Sequence, residues 1–563
     1  MENSSVSKIG TWYVSSTHYR GRNGNVAIVK ETHGFEDKDG NRTYIPKLKL
    51  WRDPPRRFWI TKPEFRDHEY KKEFELISKC DEYSCRDSEL EYTLKNALGI
   101  QWKQNFPTYR ILDNPYVYGA DIDAEVILKY NYKQSAPSFD PVYTKGGLDI
   151  ETELVGDKRI NLITFIHDHT IYSAGLEAFC KVYEDGENSK PRKATMKDVE
   201  AEVQKWIGDL ISEYGFKLNL KICGTEYELI KWIFDRIHEC KTDFIGVWNI
   251  NFDIPYILNR LKQLGIDAAA VMCHPDIPKE YRFVKYNEDT HKVDHFTDKW
   301  SWLYLPGYSQ FLDAMCLYAR LRKVYGRDSS YALDKIADKE LGLRKLHFDG
   351  IEHMNHRIEQ EYHFLRYWAY NINDVLLMQL MEFQNDDYGT LASLADVSLL
   401  SQFNHMTVCL KNDAFVEGLA HGKVPAAIGS RGGFTEYDKR RSKIGGTVLP
   451  PNKAENTSVH AVSSRRSQNT QVSVLTNDLD VSSFYPSNTE EFNISRESML
   501  GTILGITGKP QDTIDHFASC IIQPDVTAMD IATTYYNMPD YEGALKIFEE
   551  EFLNKSRAKS MKS

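Results

Sequence analysis

Five side chains have the types and spacing that hydrolysis of a phosphodiester requires. Asp149 and Glu151 stand one residue apart in Gly147-Leu148-Asp149-Ile150-Glu151-Thr152, Asp253 follows an apolar run, and Tyr370 and Asp374 are four residues apart. Side chains alternate faces along a strand, so Asp149 and Glu151 share one face, with Leu148 and Ile150 on the other. Residues four apart share a helix face, which pairs Tyr370 with Asp374. Neighbouring acids repel one another unless protons or metal ions relieve the charge. Two divalent ions about 4 Å apart, held by hard carboxylate oxygens, neutralise the attacking and leaving oxygens of a phosphodiester. A tyrosine hydroxyl beside them can orient the attacking water, and no nucleophilic serine or cysteine is needed. Taken alone, the Asp149/Glu151 pair reads more simply as two solvated acids on a polar strand edge.

The elements that must position these residues lie between 141 and 383, where strands alternate with helices in the manner of an α/β layer. Gly146-Gly147 reads as a turn ahead of the acidic strand. Further strands are expected at 159–166 and 170–173. Thr225-x-x-Glu228 spells a capping box in front of an amphipathic helix with Ile230, Ile233, Phe234 and Ile237 on one side. Residues 243–249 read as a buried strand leading into a helix that starts near Ile254-Pro255, proline being favoured in a first turn. A long helix, 359–383, carries Tyr370 and Asp374. With Leu376, Leu377, Leu380 and Met381 on it, that helix has no packing use for Asp374 on its inner side, so Asp374 faces either water or a metal.

The rest of the chain bounds the possibilities. Its 563 residues are 41% hydrophobic and 27% charged, enough for three or four packed domains. Residues 1–140 read as a mixed, β-leaning N-terminal domain, and 384–563 as a helical connection followed by a strand-to-helix stretch. No apolar run is long enough to span a bilayer and no signal peptide is visible, so no membrane contact and a cytoplasmic location are expected. Nine scattered cysteines fit a reducing compartment, with Cys80 and Cys85 read as free thiols. The net charge of −11 argues against a uniformly basic nucleic-acid binder, yet 42–66 carries eight Lys/Arg against two acids, interleaved with Trp51, Phe58 and Trp59. Such a stretch could track a phosphate backbone or could be a solvated strand face; both stay open. A second basic region, 431–466, runs into a Ser/Asn/Thr-rich segment, 452–473, read as a mobile loop.

In order, Asp149-Ile-Glu151, Asn249-Ile-Asn-Phe252-Asp253 and Tyr370-Asn-Ile-Asn-Asp374 resemble the three blocks of the 3′→5′ exonuclease superfamily named for its Asp-Glu-Asp-Asp acids, in its tyrosine subclass. Beyond them, Asp480-Val-Ser-Ser483-Phe484-Tyr485-Pro486-Ser487 resembles the first palm motif of family B DNA polymerases. Ile444-Gly445-Gly446 resembles the glycine-pair motif between exonuclease and palm, and Ser330-Tyr331-Ala332-Leu333-Asp334 a recurrent segment between the second and third exonuclease blocks. The resemblance covers about 146–501 and, by order of parts, the N-terminal domain; replicative polymerases of bacteriophages are the closest match.

The resemblance implies an α/β chain with a mixed N-terminal domain (1–140), a ribonuclease H-like 3′→5′ exonuclease domain (141–383) and an incomplete α+β palm (384–563). It further implies two Mg²⁺ or Mn²⁺ ions on Asp149, Glu151, Asp253 and Asp374, with Tyr370 orienting the attacking water. Asn249, Phe252, Gly445 and Gly446 would contact DNA. Asp480 would bind the metals of nucleotide addition, with Ser483, Phe484 and Tyr485 around the incoming nucleotide.

Three features depart from that family. The second block has two residues between Asn249 and Phe252 where many members have three, and 452–473 reads as a polar insertion. More important, neither the fingers motif Lys-x₃-Asn-Ser-x-Tyr-Gly nor a second palm motif Tyr-Gly-Asp-Thr-Asp-Ser follows Ser487. Asp386-Asp387-Tyr388-Gly389 is only superficially similar to the latter and precedes the first palm motif. The expectation is therefore the N-terminal part of a DNA polymerase acting in replication on primer-template DNA and single-stranded 3′ ends. A second chain would bring the fingers, thumb and remaining palm, and a processivity clamp is a further conceivable partner. A viral chain would work in the host cytoplasm. The alternatives are a free-standing single-strand exonuclease and a non-catalytic DNA-binding remnant.

Overall fold

In the computed structural model, the acidic strand lies inside an eight-stranded mixed sheet. The structure describes residues 7–67, 72, 74–100, 111–112, 114–136, 143–184, 190–290, 295–348, 355–397, 399, 410–425, 460–461 and 471–472. The strands of the sheet are β1 (Lys145–Thr152), β2 (Ile160–His167), β3 (Thr170–Leu176), β4 (Lys217–Cys223), β5 (Phe244–Val247), β6 (Lys285–Asn287), β7 (Trp302–Tyr304) and β8 (Gln310–Asp313). Their spatial order is β4-β3-β2-β1-β5-β8-β7-β6. β1, β2 and β3 form an antiparallel meander, and β5 and β8 continue parallel to β1. A meander extended by parallel strands under helices is the ribonuclease H-like α/β layer expected from the sequence.

Helices cover both faces. Leu148 and Ile150 of β1 join Ile163 and Phe165 of β2 beneath α2 (Glu226–Cys240) and α3 (Ile250–Gln263). On the other face, Leu162 and Ile166 join one core with residues of α1 (Met196–Glu213), α4 (Ala314–Leu321), α5 (Leu333–Leu341) and α7 (Phe364–Asn385). Strand alternation therefore turns Asp149 and Glu151 towards α7. That helix is buried from Phe364 to Glu382 except at Arg366. A helix buried nearly all round lies between layers, not on a surface.

Four expectations need correction. Gly146 and Gly147 are no turn; both lie within β1. They are needed for close approach, since a Cβ on Gly147 would sit 3.0 Å from Val375 and 3.2 Å from Met378 of α7, and one on Gly146 only 2.1 Å from the Ile166 carbonyl oxygen. The helix expected over 359–383 is two: α6 (His356–Tyr362) and α7, separated at His363, whose φ of −128° leaves the helical region. α3 starts four residues before Ile254, with Pro255 inside it. Proline there lacks only the N–H that would reach Asn251, while Ile250, Ile254, Ile257 and Leu261 bury a continuous stripe. The capping box at Thr225 is half formed: Thr225 Oγ1 accepts from Glu228 N at 3.2 Å, but Glu228 accepts from Gly224 N at 3.0 Å, one residue earlier than the motif implies.

Ahead of this layer, Ser7–Gly21, Gly24–Glu36 and Arg42–Arg52 make an antiparallel sheet, and Pro55–Thr61 pairs with Cys80–Arg86 and Val117–Tyr118 in another. Part of the basic-aromatic stretch is structural, while Arg42, Lys47, Lys49, Arg52 and Arg66 are exposed. Phe58 and Trp59 are fully buried, Arg56 bonds Asp87, and Arg57 bonds Glu82 at 2.6 and 2.9 Å. Cys80 and Cys85 are free thiols. After α7 come helices Asp387–Val397 and Leu410–Ala420. Contacts divide the chain into two units, Met1–Thr435 and Glu436–Ser563. Gly445, Gly446, Asp480, Ser483, Phe484 and Tyr485 lie outside the described residues, as does the expected loop 452–473 apart from the paired His460–Ala461 and Gln471–Val472. Among the described residues no helix is long and apolar enough to cross a membrane.

Candidate metal centre

β1 delivers Asp149 and Glu151, and α7 brings Asp374 down onto them. One carboxylate oxygen from each of the three lies within 4.8 Å of the others. Asp253 arrives from the opposite helical layer, in the first turn of α3 just beyond β5, and is 2% exposed. It stands outside that tight group of three but shares its field. Desolvation, then Asp253, Glu151 and Asp374, push the Asp149 carboxyl well above its ordinary value. Burial lifts Glu151 to about 7, Asp374 adding to the rise and a hydrogen bond from Tyr367 opposing it. Asp253 is raised by burial and by Glu151, and Asp374 by burial against the pull of Lys345.

Two of these acids keep an orphaned oxygen. Asp253 Oδ2 and Asp374 Oδ1 are buried with no hydrogen-bond partner among the described residues. Buried polar atoms are nearly always paired, and four converging carboxylates supply acceptors without donors. Hard oxygen donors on a rigid strand and two helices suit a divalent cation, which would relieve both the repulsion and the orphaned oxygens.

The structure also supplies a cation that sequence reasoning missed. Lys345 Nζ donates to Asp374 Oδ2 at 2.5 Å and to the Tyr370 hydroxyl at 3.2 Å. Burial opposes its charge, but Asp374 and the other acids hold its pKa above the ordinary lysine value. In Leu343-Arg344-Lys345-Leu346-His347 nothing in spacing or composition separates it from a solvated lysine. Asp374 thus faces neither water nor a metal alone; it shares its carboxylate with Lys345. Tyr370 lies beside Asp374, its hydroxyl taking the same ammonium. Tyr367, one turn earlier and stacked on Tyr370 at 5.7 Å, donates to Glu151 Oε2 and contacts His356 at 3.1 Å.

Several supports fix the second block. Arg260 clamps α3 to Glu226 through two bonds of 2.8 and 2.6 Å, and Glu226 also takes the backbone N–H of Ile160 at the start of β2. Trp248 Nε1 donates to the Tyr331 carbonyl at 3.1 Å, and Asp334 accepts from the Lys345 backbone N–H at 3.0 Å. The segment Ser330–Asp334 therefore braces both the residue before Asn249 and the strand of chain carrying Lys345. Asn249 begins α3 without a side-chain capping bond and is exposed, and Phe252 is 44% exposed beside the buried Asp253. Asp386 and Asp387, by contrast, are ion-pair partners of Lys145 and Arg322 and do not join the cluster.

Residues 178–336 match the DNA polymerase family B, exonuclease domain. The matched stretch contains Asn249, Phe252, Asp253 and Ser330–Asp334, whereas Asp149, Glu151 and Asp374 flank it. Over 184 residues the chain is 27% identical to the DNA-directed DNA polymerase of Escherichia phage RB69, covering 32% of this chain and 18% of the phage protein. The similarity thus spans less than a fifth of that relative's length.

Proposed function

We propose, from the match of residues 178–336 to the exonuclease domain of DNA polymerase family B, that Asp149, Glu151, Asp253, Tyr370 and Asp374 form a two-metal 3′→5′ exonuclease that removes nucleotides from single-stranded DNA ends. The observation that carries this reading is the convergence of Asp149, Glu151 and Asp374 within 4.8 Å, with orphaned carboxylate oxygens on Asp253 and Asp374. Two Mg²⁺ or Mn²⁺ ions held by these acids would neutralise the scissile phosphate as Lewis acids. Everything else falls to the protein. Lys345 opposes the rise that burial imposes on Asp374 and occupies a lone pair of the Tyr370 hydroxyl. The tyrosine proton is left to donate to the attacking water and orient it. Phe252 offers an exposed ring on which the terminal base can stack, and Asn249 an amide for sugar or base edges. Replacing Asp149 and Glu151 together by Ala should abolish divalent-ion-dependent digestion of a single-stranded oligonucleotide while leaving its binding largely intact. Digestion persisting in that variant would remove these residues from the chemistry.

The wider role is proofreading within a replicative polymerase on primer-template DNA. Asp480, Ser483, Phe484 and Tyr485, with Gly445 and Gly446 upstream, supply the start of a palm whose fingers motif and second acidic motif this sequence lacks. Synthesis would then need those motifs, which we propose a second chain supplies. The expected result on mixing the two is templated extension that neither gives alone. No extension at any stoichiometry would leave the alternative, a self-sufficient exonuclease, which is favoured by the placement of all four acids, Tyr370 and Lys345 within Met1–Thr435.

A further inference from the structure

A buried polar chain runs from the acidic strand into the core between β2, β3 and α7. Asn371 Nδ2 donates to Asp149 Oδ2 at 2.7 Å. Thr164 Oγ1 donates to Asn371 Oδ1 at 2.6 Å, and the hydroxyls of Thr164 and Ser173 lie 2.7 Å apart. Trp368 Nε1 donates to Ser173 Oγ at 2.7 Å. Asn371, Thr164, Ser173 and Trp368 are all 0% exposed. Four polar groups in an apolar layer are costly unless each is satisfied, and here each is.

The direction of the chain follows from its far end. An indole N–H can only donate. Ser173 Oγ therefore accepts from Trp368, and its own proton can go to Thr164 at 2.7 Å or to the Ile163 carbonyl at 3.5 Å. The shorter bond is much the better one. Thr164, accepting from Ser173, gives its proton to Asn371 Oδ1. The amide then has one orientation, carbonyl to Thr164 and N–H to Asp149. A reversed amide would set oxygen against oxygen at Asp149, which is tolerable only for a protonated carboxyl, and a protonated carboxyl does not ligate a metal.

We propose that Trp368, Ser173, Thr164 and Asn371 are positioning residues, a one-way hydrogen-bond relay that holds Asp149 Oδ2 as an acceptor and presents Oδ1 to the divalent cation. The proposal rests on the metal-centre reading above. None of the four touches the cation or the substrate; they act through Asp149, as outer-shell partners orient ligands in other metal sites.

Thr164→Val keeps the side-chain shape and cuts the relay, whereas Thr164→Ser keeps the hydroxyl. In the full chain, Mn²⁺ binding is read by electron paramagnetic resonance of the free ion, folding by thermal melts in EDTA, and digestion by kcat and KM on a single-stranded oligonucleotide. Thr164→Val should raise the Mn²⁺ dissociation constant about tenfold or more and lower kcat with little change in KM, while Thr164→Ser stays within about twofold of the parent. Ser173→Ala should shift both quantities in the same direction by less, and it decides the matter alone if the valine variant does not fold. Wild-type Mn²⁺ affinity in Thr164→Val or a folded Ser173→Ala, with binding abolished by Asp149→Ala, overturns the relay and leaves the metal centre standing. A parent chain that takes up no Mn²⁺, or Asp149→Ala that still binds it, overturns the metal centre and the relay with it.

Discussion

At the scale of single residues, the centre is governed by one cation among four acids. Lys345 donates to both Asp374 and Tyr370, so it ties a carboxylate of the cluster to the hydroxyl that would orient water. Its acidic neighbours favour the charged form against the pull of burial. Lys345→Met should therefore free the Tyr370 hydroxyl to rotate and leave Asp374 to share protons with its neighbours. The expected loss in single-turnover digestion at saturating Mn²⁺ is about 100-fold, the scale of removing one preorganised donor from an active site. Oligonucleotide binding should change little. A lysine that merely balanced surface charge would alter neither quantity by more than a small factor.

Elements enter where α7 meets the sheet. The helix reaches β1 only because Gly147 has no side chain, and β1 pairs closely with β2 only because Gly146 has none. The two glycines should fail differently. Gly146→Ala places a methyl against the Ile166 carbonyl oxygen, a backbone atom fixed by the ladder, and should cost more than about 4 kcal/mol, in the exceptional tail for point mutants. Gly147→Ala meets Val375 Cγ1 at 3.0 Å and the end of the flexible Met378 side chain at 3.2 Å, side-chain atoms of a helix that can shift slightly. It should fold with a modest loss while displacing α7 by a few tenths of an ångström and so moving Asp374. Urea unfolding and digestion rates measured side by side separate the outcomes: stability lost at Gly146, activity lost at Gly147.

Over the whole Met1–Thr435 unit, buried acids away from the centre add to the pH dependence of stability that the centre's own raised carboxylates impose on the metal-free protein. Burial pushes Asp313 from 3.8 to about 7, and it lifts Glu382 to about 7 against the pull of Lys145. Both bind a proton in the folded state that they lose in the unfolded state, so stability falls as pH rises between the unfolded and folded values. Their contribution is complete below about pH 4 and gone above about pH 7. The metal-free protein should accordingly lose a few kcal/mol from pH 5 to pH 8. Asp313→Asn, neutral throughout and still able to cap the Cys316 N–H, should remove part of that slope, as read from urea midpoints in EDTA. An unchanged slope would mean that Asp313 is ionised in the fold.

By itself the sequence determined the α/β layer, the pairing of Asp149 with Glu151 on one strand face and of Tyr370 with Asp374 on one helix face. Those rest on local periodicity, which alternation along a strand and a 3.6-residue helix turn enforce whatever surrounds them. The sequence also carried the order of the three acidic blocks. Tertiary structure decided the rest. Gly146-Gly147 has the composition of a turn, and only the approach of α7 and β2 explains why glycine must sit inside a strand. Helix ends shifted at Pro255 and His363 because burial of a stripe, not local propensity, chose where the helices run. Lys345 and Asn371 are ordinary residues in one dimension. They gain roles only when chain folding sets them against Asp374 and Asp149, 29 and 222 residues away. The chemistry of the cluster is thus written in residue types, but its electrostatic balance is a property of the fold, because charge interactions depend on distance and burial and neither is a local quantity.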